Sequence, residues 1–211
     1  MNLRDSAAEY PITTSGVLLS TPVFNVAEER FNFGELGDEL TRVFVTHPGA
    51  VAVVAVDAAD RILLINQYRH PVRMNLWEVP AGLLDLPGEP MLTAAQRELA
   101  EEADLTAANW HVLADFFTTP GGQNEAIRVY LAEGLSDVPA AERHAREAEE
   151  AELGFAWVEL AEAVEAALGG RLHNPATVVG ILALYAVRQG AGRLRDAEAV
   201  WEHHPRGIAP A

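Results

Sequence analysis

Two almost wholly apolar runs, 50–56 and 62–67, lie in the first third of this 211-residue chain, separated only by Asp57-Ala58-Ala59-Asp60. Short apolar runs bounded by turn residues suit buried strands, because helices usually need about ten residues or more. The pair reads as a central hairpin. Upstream, strand-like text at 17–20, 23–26 and 29–33 is punctuated by Gly34 and Gly37-Asp38, and a further strand at 40–46 ends at His47-Pro48-Gly49. Downstream, strands are expected at 111–118, 126–133 and 154–158. Helical spacing first appears at 92–103, where Leu92, Ala95, Leu99 and Ala103 share one stripe. A second helix, 160–168, meets Gly169-Gly170, and a third, 176–188, follows Asn174-Pro175, a cap and first-turn pair. Several strands with few helices give an α+β chain with a mixed sheet covered by helices.

Hydrophobic residues at 49% and charged residues at 22% are ordinary globular usage, so a largely disordered chain is not expected. The absence of cysteine excludes disulfides, thiolate zinc sites and a cysteine nucleophile. No apolar stretch is long enough to span a bilayer and residues 1–20 lack a signal-peptide pattern, so the expectation is a cytoplasmic protein with no membrane partner. A formal charge of −16 argues against nucleic acid as a partner. An anionic substrate would need its charge screened, and divalent cations do this most simply.

The chemistry concentrates between Gly82 and Leu105. Glu98, Glu101 and Glu102 are spaced three and four apart, so on a helix they fall on one face. Like charges this close repel, and a hard divalent cation relieves the repulsion. Oxygen-only ligands point to Mg²⁺ or Mn²⁺ rather than zinc. Gly82, Glu89, Arg97, Glu98, Leu99, Glu101, Glu102 and Leu105 together resemble the Nudix box. The match departs from it twice: six residues rather than five separate Gly82 from Glu89, and Asp104 stands where the closing glycine belongs. The extra residue falls in a Leu-Pro-Gly turn, and aspartate tolerates the left-handed conformation better than most residues.

The resemblance runs over about 16–190 and is closest to the bacterial ADP-ribose pyrophosphatase branch of the Nudix hydrolases. His47-Pro48-Gly49-Ala50-Val51, Gln67-Tyr68-Arg69-His70-Pro71, Trp77-Glu78-Val79-Pro80-Ala81-Gly82 and Thr119-Pro120-Gly121-Gly122 also carry it. It implies a Nudix α/β/α sandwich preceded by an antiparallel β extension. The expected divisions are 1–46 for the extension, 47–190 for the catalytic domain and 191–211 for a C-terminal tail. It also implies metal-dependent hydrolysis of ADP-ribose to AMP and ribose 5-phosphate. Another nucleoside diphosphate sugar or a dinucleotide is the alternative substrate, and a non-catalytic ADP-ribose sensor is the alternative of a different class.

By matched positions, Glu98 and Glu102 become metal ligands with the Ala81 carbonyl, and Glu101 is an additional ligand. Arg97 orients these carboxylates, and Glu89 partners it or supports an outer metal. Arg69 becomes a phosphate contact. Glu78 is read either as a ligand-site carboxylate or as a buried ion-pair member. Thr119, Pro120 and Gly121 are assigned to the substrate, with Pro120 as the marker of ADP-ribose enzymes. In the glutamate-rich segment 146–152 the resemblance favours Glu150 as general base, with Glu149 as the alternative. It further implies a homodimer in which the N-terminal strands complete the partner's site. His70, His173, His203 and His204 lack ligand spacing with the carboxylates, and Trp77 and Trp157 are expected in the core.

Overall fold

The computed structural model describes residues 3–34, 37–145 and 154–205. Contacts divide the chain into two compact units, one of 1–49, 117–126 and 201–211, the other of 50–116 and 127–200.

In the first unit, β1 (Ile12–Ser20), β2 (Asn25–Phe33) and β3 (Asp38–Thr46) form an antiparallel sheet in that order. The strands expected separately at 23–26 and 29–33 are one strand. Ala27 and Glu28, poor strand formers, are laddered to Val17 and Gly16 on one side and to Phe44 and Val43 on the other, and this pairing overrides their propensity. Tyr10, Phe31 and Phe33 cluster at one end of the sheet, with 4.9 Å between the Tyr10 and Phe33 rings. Val17, Leu18 and Leu19 are exposed in succession, so β1 shows apolar side chains on both faces.

The second unit holds β4 (Ala50–Ala55), β5 (Arg61–Arg69), β6 (Met74–Glu78), β7 (Ala81–Leu83), α1 (Met91–Ala103) and most of β8 (Leu105–Phe117) and β9 (Ala126–Asp137). It continues through β10 (Gly154–Glu159), α2 (Leu160–Leu168), α3 (Pro175–Arg188) and β11 (Arg195–Asp196). One sheet has the order β11-β8-β9-β4-β7 and the other β10-β5-β6.

The central hairpin expected from 50–56 and 62–67 does not form. β4 runs parallel to β9, from Ala50 opposite Ile127 to Ala55 opposite Ala132, while β5 pairs with β6 and β10; a single bridge, Val56 to Ile62, joins the two runs. The reason lies in their composition: a strand apolar on both faces carries no alternation to specify its neighbour. The intervening turn, with Asp57 Oδ1 accepting from the Ala59 and Arg61 N–H groups and Asp60 at φ 59°, sends β5 into the other sheet.

Both faces of β4 are buried, each against a different layer. Val51, Val53 and Ala55 pack with Ala94, Ala95 and Leu99 of α1, and Ala52 and Val54 pack with Ile181 and Leu184 of α3 and Ala163 of α2. This is the α/β/α sandwich. The α3 boundary follows its caps: Asn174 Oδ1 accepts from the Thr177 N–H at 3.0 Å, and Pro175 occupies the first turn. Residues 195–199, expected within a tail, are bound to the sheet. β11 pairs with β8, and buried Arg128 holds both Asp115 oxygens, at 2.7 and 3.0 Å, and the Ala199 carbonyl at 2.7 Å.

Trp77 and Trp157 are not in the core, being 38% and 36% exposed. Trp157 lies on β10, an edge strand, and the Arg61 guanidinium sits 6.0 Å from its ring.

Gly180 is where α3 crosses β4, and a β-carbon there would come within 2.7 Å of Val54 Cγ2. Gly180→Val is therefore expected to destabilise the protein by about 1–3 kcal/mol through overpacking, read as a lower midpoint in urea with an unchanged slope.

Candidate active site

The site is assembled where α1 docks beside the Glu78–Gly82 segment. That segment is tied from three directions. The Val79 N–H donates to Thr177 Oγ1 at 2.9 Å, the Pro80 carbonyl accepts from the Val53 N–H at 2.8 Å, and the Ala81 N–H donates to Glu102 Oε2 at 2.9 Å. Thr177 and Val53 are core residues and Glu102 is buried, so the segment cannot drift relative to the helix.

Gly82 is required by proximity. A β-carbon at this position would overlap the Glu98 carboxylate, so only glycine lets that carboxylate lie against the strand. At the other end of α1, Asp104 adopts the left-handed conformation, φ 56° and ψ 32°, and its N–H closes on the Ala100 carbonyl at 3.1 Å. The residue that departs from the box thus does the conformational work of a glycine.

Arg97 organises the acidic face. Its Nε and Nη2 donate to the two Glu89 oxygens, each at 3.1 Å, and Nη1 donates to Glu98 Oε1 at 2.5 Å and to Glu101 Oε2 at 3.1 Å. Hydrogen bonding to Glu89, more than the nearby Glu98 charge, holds the Arg97 guanidinium above its usual pKa despite partial burial. Burial pushes the Glu98 carboxyl up; Arg97 opposes this, while the Glu101 and Asp85 charges add to it.

Among the described residues, no three His, Cys, Asp or Glu side chains converge as a ready-made cage for a metal ion. Glu98 and Glu102 point to the Ala81–Gly82 strand, whereas Glu101 is drawn to Arg97. This set fits a hard divalent cation. Mg²⁺ typically takes one or two carboxylates and fills its remaining positions with waters and substrate phosphates, and here Glu98 and Glu102 both lie against the Ala81–Gly82 strand.

Arg69 and Glu78 form a bidentate pair, Nε to Oε1 at 3.0 Å and Nη2 to Oε2 at 2.8 Å. Glu78 is 1% exposed, so its carboxylate is buried in this ion pair. The Arg69 side chain remains 43% exposed and is aimed by a fixed carboxylate.

Thr119, Pro120 and Gly121 belong to the first unit. Pro120 and Gly121, with Gly122, Gln123 and Asn124, line a cavity of about 390 Å³ whose other wall is one face of β2 and β3, bearing Glu29, Phe31, Arg42 and Phe44. Those four residues were not singled out from the sequence. Only the register, with Glu29 opposite Arg42 and Ala27 opposite Phe44, puts them on one face. Glu149 and Glu150 lie outside the described residues.

The family model for the NUDIX domain matches residues 46–177. This chain belongs to the Nudix family. The Nudix protein described here is 43% identical over 173 residues to a protein of Mycobacterium tuberculosis named ADP-ribose pyrophosphatase, covering 82% of each chain. It is 43% identical over 100 residues to the Bacillus subtilis protein of the same name, covering 47% of this chain and 54% of that one. Among solved structures, an ADP compounds hydrolase aligns with 90% of this chain and 100% of its own, at TM-score 0.67 and 22% identity, a likeness of fold. Among the described residues, no helix is long and apolar enough to cross a membrane.

The raised Glu98 pKa has a testable sign. A carboxyl whose folded pKa lies above its unfolded one contributes stability that is fully present below the unfolded pKa and lost as pH rises through the folded pKa. Once pH has risen through the folded pKa, the metal-free protein therefore carries an ionised Glu98 that its burial disfavours. Adding Mg²⁺ at pH 7 is expected to raise Tm. Glu98→Gln should match or exceed the wild-type Tm without metal and lose most of the Mg²⁺-induced rise, as read by thermal unfolding with and without chelator.

Proposed function

We propose that this Nudix protein hydrolyses the diphosphate bond of ADP-ribose, giving AMP and ribose 5-phosphate, with Mg²⁺ as cofactor and Mn²⁺ as the alternative. The observation that carries the reading is the 43% identity to a named ADP-ribose pyrophosphatase across 82% of both chains. The site supports it with the same Gly82, Arg97, Glu98 and Glu102 constellation that the box requires.

Water attacks one phosphorus, the bridging P–O bond breaks, and the departing phosphate takes the electron pair. The bound cations would neutralise the diphosphate and lower the pKa of the attacking water. Glu98 and Glu102, with the Ala81 carbonyl, would hold them. Arg97 keeps Glu98 in place by a direct ion pair and, by engaging Glu101 and Glu89, limits repulsion on the helix face. Arg69, aimed by Glu78, presents a guanidinium fork for phosphoryl oxygens. We assign the proton-accepting carboxylate to Glu150, with Glu149 as the alternative, and contact with a group flanking the diphosphate to Thr119, Pro120 and Gly121. A sensor without catalysis is disfavoured because the box carboxylates are intact.

We also propose a cytoplasmic homodimer, with 1–46 as the extension, 47–190 as the catalytic domain and 191–211 as the C-terminal segment. The exposed Val17, Leu18 and Leu19 on β1 favour a second copy as their cover.

Incubation with a panel of nucleoside diphosphate sugars and dinucleotides should show ADP-ribose cleaved with the highest kcat/KM and chelator abolishing turnover; preference for another diphosphate would replace the substrate. Glu150→Gln is expected to lower kcat by roughly 10²–10⁴-fold with KM and metal affinity nearly unchanged. If Glu149→Gln alone has that effect, the base moves by one residue. Full-length protein should sediment as a dimer and a chain lacking 1–40 as a monomer with weakened substrate affinity; a monomeric full-length protein would refute the dimer, and a fully active deletion monomer would refute a contribution of these strands to the partner's site.

A further inference from the structure

We propose that Glu125, acting with His47 and Asn124, is a positioning residue that sets the shape of the 118–124 loop and through it the protein's discrimination among diphosphates. The proposal rests on the assignment of Thr119, Pro120 and Gly121 to the substrate. The loop is first held by its backbone: the Val45 N–H donates to the Gly122 carbonyl at 3.0 Å, and the Asn124 N–H donates to the Val45 carbonyl at 3.2 Å. Those bonds, with the Thr118 N–H to the Glu125 carbonyl at 3.1 Å, are enough to close the turn. A side-chain network is laid over them. Glu125 Oε2 accepts from Thr118 Oγ1 at 2.7 Å and from Gln123 Nε2 at 3.2 Å, and Gln123 Nε2 also donates to Thr118 Oγ1 at 2.7 Å. The other carboxylate oxygen lies 3.5 Å from His47 Nδ1, but that nitrogen accepts from the Gly49 N–H at 3.2 Å and so does not donate to Glu125; on this side the tie is the His47 N–H, which donates to Asn124 Oδ1 at 2.8 Å.

Thr118 and Gln123 bracket the four residues from Thr119 to Gly122, so the network holds the two stems together, and the tip they carry is closed by the Gly122 and Gln123 N–H groups donating to the Thr119 carbonyl at 2.9 and 3.0 Å. At that tip, Gly121 and Gly122 answer no need of the chain itself. Neither has a positive φ, a β-carbon on Gly121 would meet nothing, and one on Gly122 would meet only Thr119 Cγ2 at 4.0 Å. Gly122 uses its backbone within the loop, its N–H donating to the Thr119 carbonyl at 2.9 Å and its carbonyl accepting from Val45, whereas a glycine used for neither conformation nor packing, as at Gly121, leaves backbone for close approach by something outside the chain. Both glycines line the cavity faced by Phe31, Arg42 and Phe44. A ligand group read by backbone N–H and C=O is sensitive to where that backbone stands. The Glu125 network therefore acts on binding and selectivity, while the carboxylates of α1 serve the chemical step.

The test compares wild type with Glu125→Ala, Glu125→Gln and Gln123→Met, measuring Tm and, for ADP-ribose and a second nucleoside diphosphate sugar, kcat and KM. Glu125→Ala should raise KM for ADP-ribose roughly tenfold with kcat within about twofold, and should narrow the kcat/KM ratio between the two substrates. Glu125→Gln keeps an acceptor for Thr118 and Gln123 and should restore most of the affinity. Gln123→Met, which leaves the carboxylate in place, should show a smaller shift in the same direction and stands in if Glu125→Ala does not fold. Unchanged KM in both Glu125→Ala and Gln123→Met, or a fall in kcat with KM held, overturns the proposal. Wild-type turnover of ADP-ribose tests the substrate reading separately; if wild type cleaves only another diphosphate, the same variants assayed on that compound still decide the role of Glu125.

Discussion

Everything at the candidate site depends on placing carboxylates closer together than their charges allow. Three devices make this tolerable. Gly82 removes the β-carbon that would exclude Glu98, the Ala81 N–H gives buried Glu102 a hydrogen bond that a free helix could not, and Arg97 spreads one positive charge over Glu89, Glu98 and Glu101. The balance is incomplete, because burial still pushes the Glu98 carboxyl up. A bound cation would relieve a residual charge of this kind, so the arrangement that disfavours an ionised Glu98 would favour a divalent ion.

The rest of the second unit serves to hold that arrangement still. α1 carries the carboxylates on a face that adjoins Ala94, Ala95 and Leu99, packed on the odd residues of β4, while Thr177 of α3 reaches from the opposite layer to the Val79 N–H. The Glu78–Gly82 segment is thus gripped by elements from both sides of the sheet. A site on so short a strand needs such support, since among the described residues β7 is an edge strand paired with β4 alone.

Local features were legible in the sequence and pairings were not. The helix bearing Glu98 and Glu102, the glycine stop after α2, the Asn174 cap and the left-handed Asp104 each depend on residues a few positions apart, where spacing states geometry directly. The β4–β5 hairpin failed because Val51–Val54 and Ile62–Ile65 are apolar at every position, so no alternation indicated which neighbour each would take. Trp77 and Trp157 misled for a similar reason: their bulk argues for burial, but exposure depends on strand position in a sheet whose order was unknown. His47 and Glu125, or Arg42 and Pro120, are brought together only by the ladder and loop contacts of the first unit.

The parallel pairing of β4 with β9 also governs how the chain reaches its native state. These strands are neighbours in the finished sheet, yet seventy residues, including the whole of α1, lie between them. Closing so long a loop costs little extra free energy but slows the search, because distant contacts must be found before they repay the entropy. Until Val129 and Leu131 have left the ribosome, Val51–Val54 has no mate on that side and remains a sticky, uncharged segment. Yield on overproduction should therefore depend on temperature and chaperone supply more than on the strength of the final fold.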